Sequence, residues 1–156
     1  MKRVFRGKIL GRILLGVLVL LVAIQFVPVN RSNPPVESEV PAPANVRAVL
    51  RRACYDCHSN ETVWPWYSHV APVSWLVASD VRGGRKELNF SDWNRMPAQR
   101  QVRKLKETWK EVSERDMPPW YYVPMHRDAR LSAGDLETIR GWTLSAVSAP
   151  EAKVEK

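Results

Sequence analysis

Residues Ile13 to Val29 form an apolar run of 17 positions, broken only by Gln25 and ending near Pro28. Lys2, Arg3, Arg6, Lys8 and Arg12 precede it, and a basic flank before a run of this length predicts a membrane-spanning signal anchor with its N-terminus inside. No small-x-small cleavage signal comes after it, so residues 1–29 read as a retained transmembrane helix rather than a removed leader. Residues 30–44 then place Pro34, Pro35, Pro41 and Pro43 among polar and acidic neighbours, the composition of an extended, semi-rigid spacer.

From residue 45 the pattern becomes helical. Val46, Val49, Leu50 and Ala53 share one face, with Arg47, Arg51 and Arg52 outside it, and this helix runs directly into Cys54. The proline and aromatics of residues 61–68 predict an irregular segment, in which Ser68 could cap the next helix. That helix is predicted over 71–81, with Pro72 tolerated in its first turn and Gly83-Gly84 near its end. Val102, Leu105, Trp109 and Val112 recur at helical spacing through Arg115, after a start near Ser91 or Asn94 with Pro97 in an early turn. Asp116-Met117-Pro118-Pro119 stops that helix, because neither proline can continue the hydrogen-bond ladder. A loop extends to about Leu131. Ser132-Ala133-Gly134-Asp135 is then a capping box with Asp in place of Glu, opening a last helix whose face is Leu136, Ile139, Trp142 or Thr143, and Val147. No stretch reads as a strand. The expected architecture is all-α: a small helical domain over 45–148, preceded by one transmembrane helix and followed by a flexible tail at 149–156.

The formal net charge of +8 loses its apparent meaning when it is divided along the chain. Five of the 24 basic residues and none of the 16 acidic ones precede residue 31, so the rest carries 19 − 16 = +3. The excess is a topology signal that puts the domain on the exported side, not a nucleic-acid-binding face.

The chain has two cysteines, both in Cys54-Tyr55-Asp56-Cys57-His58. Two thiols at this spacing can reach the two vinyl groups along one haem edge, and the adjoining imidazole then falls beneath the iron. A closed zinc site needs four Cys or His ligands, and His69 and His126 stand alone. A redox dithiol belongs after a strand in a βαβ unit, whereas a helix precedes Cys54.

An iron held by His58 has one more axial position, for which Met96, Met117, Met125, His69 and His126 are available. Met117 leads this set. It lies on the long loop between the last two helices, and Pro118 and Pro119 reduce the freedom of that loop and so hold a weak thioether ligand near the iron. Met96 reads as packing at a helix start, and His69 as too near His58 in sequence to cross the ring. Trp64, Trp66, Tyr67, Trp75 and Trp120 are aromatic candidates for packing on a porphyrin and excluding water. Arg51, Arg52, Arg82, Arg85, Arg127 and Arg130 are candidate propionate partners.

The blocks Ala53-Cys54-Tyr55-Asp56-Cys57-His58-Ser59-Asn60-Glu61, Trp64-Pro65-Trp66-Tyr67-Ser68 and Ala71-Pro72-Val73-Ser74-Trp75 resemble the bacterial membrane-anchored haem-binding domain family of c-type cytochrome-like proteins. Leu88-Asn89-Phe90-Ser91, Met117-Pro118-Pro119-Trp120-Tyr121-Tyr122, His126 and Leu131-Ser132 continue the resemblance over residues 45–145. It implies one covalent haem c on Cys54 and Cys57, His58 as axial ligand and Met117 opposite. Val63 and His69 depart from the usual pattern. The function expected is single-electron transfer to exported redox partner proteins, by a non-enzymatic carrier in the bacterial inner membrane with its haem domain in the periplasm. A haem-based sensor and a peroxidase-like enzyme are the alternatives, and the latter would use His126 as its distal acid–base group.

Overall fold

The computed structural model describes residues 2–151, with side chains over 8–148. Among the described residues there are six α-helices and no strand: α1 (Lys2–Ala23), α2 (Ala44–Ala53), α3 (Tyr55–His58), α4 (Val73–Glu87), α5 (Ala98–Ser113) and α6 (Ala133–Glu151). The fold is all-α, as the pattern predicted. Two compact units are formed, one by the residues up to Ser32 with Trp64–Asp80, the other by Asn33–Val63 with the residues from Val81 on.

In the first unit, the segment Lys8–Phe26 has a mean hydropathy of 2.5 over 19 residues, long and apolar enough to cross a membrane. Gln25, the one polar break in the run, has a structural use at its end. Its amide nitrogen donates to the Ala71 carbonyl at 3.2 Å, and its amide oxygen accepts from the Ala71 N–H at 2.9 Å. The Arg31 guanidinium donates to the Ser68 carbonyl at 3.1 Å. Ser68 does not cap α4: it lies in a 3-10 turn, Trp66–His69, and its hydroxyl donates to the Pro65 carbonyl.

The second unit carries the packed core. Val46, Leu50, Tyr55, Phe90, Trp93, Leu105 and Trp142 form one buried cluster, and Val49, Val112 and Ile139 a second, where α2 and α5 pack on α6. Residues 33–43, read from their prolines as part of an extended, semi-rigid spacer, also pack against the core. The prolines keep this stretch out of a helix, but Val40 and Ala42 insert into the first cluster. The N–H groups of Glu37 and Ser38 both donate to the Ser91 carbonyl at 3.0 Å, and the Trp142 indole N–H donates to the Pro41 carbonyl. The segment is a strap over the core.

Helix ends obey local chemistry. α6 opens on the predicted capping box: the Ser132 N–H donates to Asp135 at 2.8 Å, and the Asp135 N–H donates to the Ser132 hydroxyl at 3.2 Å. It runs to Glu151, beyond the boundary read at 148; residues 152–156 of the expected tail lie outside the described residues. α5 stops before its prolines act. The Asp116 N–H reaches back to the Glu111 carbonyl and the Arg115 N–H to that of Val112, a Schellman pair with Arg115 left-handed at φ 66°. Met117 comes two residues later. α4 begins at Val73, leaving Pro72 outside its first turn, and continues past the predicted end through Gly83-Gly84 to Glu87.

Candidate functional site

Cys54 interrupts α2 and begins α3, so that the N–H groups of Cys57 and His58 both return to its carbonyl, at 3.2 and 2.9 Å. One tight turn therefore carries both thiols and the imidazole. Cys54 and Cys57 form no disulfide. Burial, reinforced by Cys57 and opposed by Arg52, pushes the Cys54 thiol up to about 12, so it is held as the neutral S–H against the apolar cluster.

The end of α4 lies hard against this turn. A β-carbon on Gly84 would come within 2.5 Å of the Cys57 carbonyl oxygen, so only glycine allows the approach. That approach puts two helix-end carbonyls, those of Gly84 and Leu88, each 3.0 Å from His58 Nδ1. Burial keeps the His58 imidazole below its ordinary pKa and therefore neutral, against the opposing pull of the two carbonyls. With Nδ1–H committed to them, the lone pair is on Nε2, the tautomer a metal ligand requires.

The chain around the turn is knitted to residues 85–91. Arg85 donates to the Ser59 carbonyl at 2.7 Å and to the Thr62 hydroxyl and the Asn33 amide oxygen at 2.8 Å, while the Phe90 N–H donates to the His58 carbonyl at 2.8 Å. The Phe90 ring stacks on Tyr55, with centroids 5.4 Å apart, and meets His58 edge-on. Sequence reasoning missed Gly84, the Leu88 carbonyl and Phe90 as supports of the turn. The available signal was Gly83-Gly84 itself, read as a helix end when it marks a close backbone approach.

Of the arginines read as propionate partners, three are occupied within the protein. Arg51 pairs with Glu39 and Glu61, Arg52 with Asp135 at 2.5 Å and the Asp128 carbonyl at 2.6 Å, and Arg85 with the groups just named. Met117 is 36% exposed at the head of the loop 116–131, and Trp120 is exposed close after it. This loop is tied back to the motif turn: the Tyr122 hydroxyl donates to Asp56 at 2.7 Å, and the same carboxylate accepts the Val63 N–H. His126 lies flat on Tyr122, with ring centroids 3.8 Å apart. Asp56, Val63, Tyr122, His126 and Met125 line an open groove of about 500 Å³ with Arg51, Arg52 and Arg127. Trp64, Trp66, Tyr67 and Trp75 belong to the first unit, where Trp66 and Trp75 are exposed.

The family described as the haem-binding domain matches residues 19–145. The chain belongs to it. No curated protein and no solved structure matches the chain. The residues present fit the haem that a haem-binding domain takes. Two reduced thiols flank one helical turn, and next to them a neutral imidazole has its Nδ1 anchored and its Nε2 unshared. Among the described residues no three His, Cys, Asp or Glu side chains gather as a metal-binding group.

Proposed function

We propose that this haem-binding domain is a membrane-anchored, monohaem c-type protein that transfers single electrons on the exported side of a bacterial inner membrane. The observation that carries the reading is the clamp on His58: two backbone carbonyls at 3.0 Å hold Nδ1, which commits Nε2 to a ligand beside two reduced thiols. Cys54 and Cys57 would hold the haem as thioethers, and His58 and Met117 would bind its iron. Bound haem supplies a one-electron iron couple. The protein's own part is to fix the imidazole, to keep its N–H hydrogen-bonded and so raise its basicity, and to offer an apolar wall of Phe90 and Tyr55. α1 with its basic flank supports a single pass with the domain outside, where exported redox partners would meet it.

A pyridine haemochrome spectrum and an intact mass of the full chain, matured in a host competent for covalent attachment, test the cofactor. One covalently bound haem per chain is expected, and less than one overturns the reading. The ferric protein should show a thioether-to-iron charge-transfer band that Met117→Ala removes. Rapid stoichiometric carbon monoxide binding to the ferrous wild type would replace the carrier by a sensor or an enzyme.

A further inference from the structure

The first two turns of α4 are inverted. Ser74 and Ala78 are buried, at 3% and 6% exposure, while Val73, Trp75 and Leu76 face outward, Leu76 at 51%. A helix that hides its hydroxyl and shows its largest apolar side chains has a second apolar partner. The exposed surface continues upstream through Val70 to Trp66, which is 72% exposed. From Trp64 to Ser79 there is no Asp, Glu, Lys or Arg. Within the same compact unit, this segment is fastened to the end of the apolar helix, by Gln25 on Ala71 in both directions and by Arg31 on Ser68, where Phe26 and Val27 are themselves exposed.

We propose that residues 64–76 lie in the lipid interface around the exit of α1, so that the protein holds its membrane by a span and by an aromatic foot. The inference rests on α1 being a membrane anchor. Tryptophan beside a span end, in a stretch without charged side chains, is the composition that settles at the headgroup boundary, where the ring is buried and the indole N–H stays wet. A lipid surface is favoured over a protein partner because the fastening to α1 puts this face where a span leaves the bilayer, and because an uncharged face gives a protein partner no electrostatic register.

The full-length holoprotein, reconstituted in nanodiscs of phosphatidylcholine carrying a diazirine at the top of one acyl chain, would be irradiated and its peptides mapped by mass spectrometry. Adducts are expected on α1 and also on the peptide containing residues 64–76, the latter at no less than about one tenth of the α1 yield, since interfacial residues meet the chain tops. Leu76→Asp with Trp66→Ser should lower the 64–76 yield on the order of ten-fold and leave that on α1 unchanged, because a charge leaves the interface. Adducts confined to α1 overturn the foot and leave the span standing. Adducts on neither segment remove the span and the foot together.

Discussion

The turn that carries His58 and the loop that carries Met117 belong to one unit and are held by different means. The turn is held by backbone: two carbonyls clamp one imidazole nitrogen, a glycine gives up its β-carbon to let α4 approach, and a half-buried arginine ties three groups together. The loop is held by side chains at a few points, chiefly Tyr122 on Asp56 and Arg52 on the Asp128 carbonyl, with Arg52 also pairing Asp135 at the start of α6 just beyond it. Backbone clamps keep the His58 imidazole fixed. Side-chain ties leave Met117 freer, which would suit a second iron ligand whose occupancy separates a carrier from a sensor.

If that contrast is right, the largest effect comes from the turn. Gly84→Ala puts a methyl group 2.5 Å from the Cys57 carbonyl oxygen, both of them backbone-held, so α4 must move. We expect a loss of about 1–3 kcal/mol in denaturant unfolding, as for other overpacked core positions, together with a perturbed His58 ligand field in the ferric spectrum. A stability change under about 0.5 kcal/mol, the range of ordinary surface substitutions, would mean that the close approach does not hold the turn.

Much of this was legible in the chain. The faces of α2, α5 and α6 came from helical spacing, and their predicted residues Val46, Val49, Leu105, Val112 and Ile139 are buried. The Ser132–Asp135 capping box was readable because it is local. The features that escaped depend on distance along the chain. Prolines at 34–43 state only that the strap is not helical; that Val40 fills the core depends on Trp93 and Trp142, far away in sequence. Gly84 looks like a helix end because its reason, the Cys57 carbonyl, lies in another element. The Tyr122–Asp56 bond joins residues 66 positions apart, and neither residue type announces it.

The next effects should come from the loop and from the Arg52 anchor just beyond it, and they should be smaller. Asp135, lowered to about 2 chiefly by its bond to Arg52, is more acidic folded than unfolded. Its contribution is therefore present above the ordinary value of 3.8 and lost as pH falls from about 4 to 2. The side chain is 18% exposed beside an arginine 33% exposed, so solvent screening trims the effect to about 1–2 kcal/mol. Unfolding of the wild type and Asp135→Asn, measured from pH 6 downward, should differ by that amount at pH 6 and converge near pH 2. A difference that persists at pH 2 would assign the loss to packing.

Tyr122→Phe keeps the ring on His126 and removes only the hydroxyl that donates to Asp56. A stability loss of about 1 kcal/mol is expected for one hydrogen bond to a carboxylate that retains the Val63 N–H. If the tie also restrains the loop, carbon monoxide should bind the ferrous holoprotein on the order of five-fold faster, the same free energy expressed in loop opening. Lost stability with an unchanged binding rate would show that this tie holds the turn and not the loop, and the contrast between the two would fail there.

The smallest effect tests the start of the loop. Arg115 occupies the left-handed position of the Schellman pair at φ 66°, where a side chain costs about 1 kcal/mol relative to glycine. Arg115→Gly relieves that cost in the folded chain but also loosens the unfolded one, so a net gain of about 0.5 kcal/mol is expected in denaturant unfolding. The helix end would be unchanged, since its two reverse hydrogen bonds use only main-chain atoms. The thioether-to-iron band should therefore survive in Arg115→Gly. Its loss, with stability gained, would show that the arginine's backbone restriction, and not the two prolines after Met117, sets where that sulfur is presented.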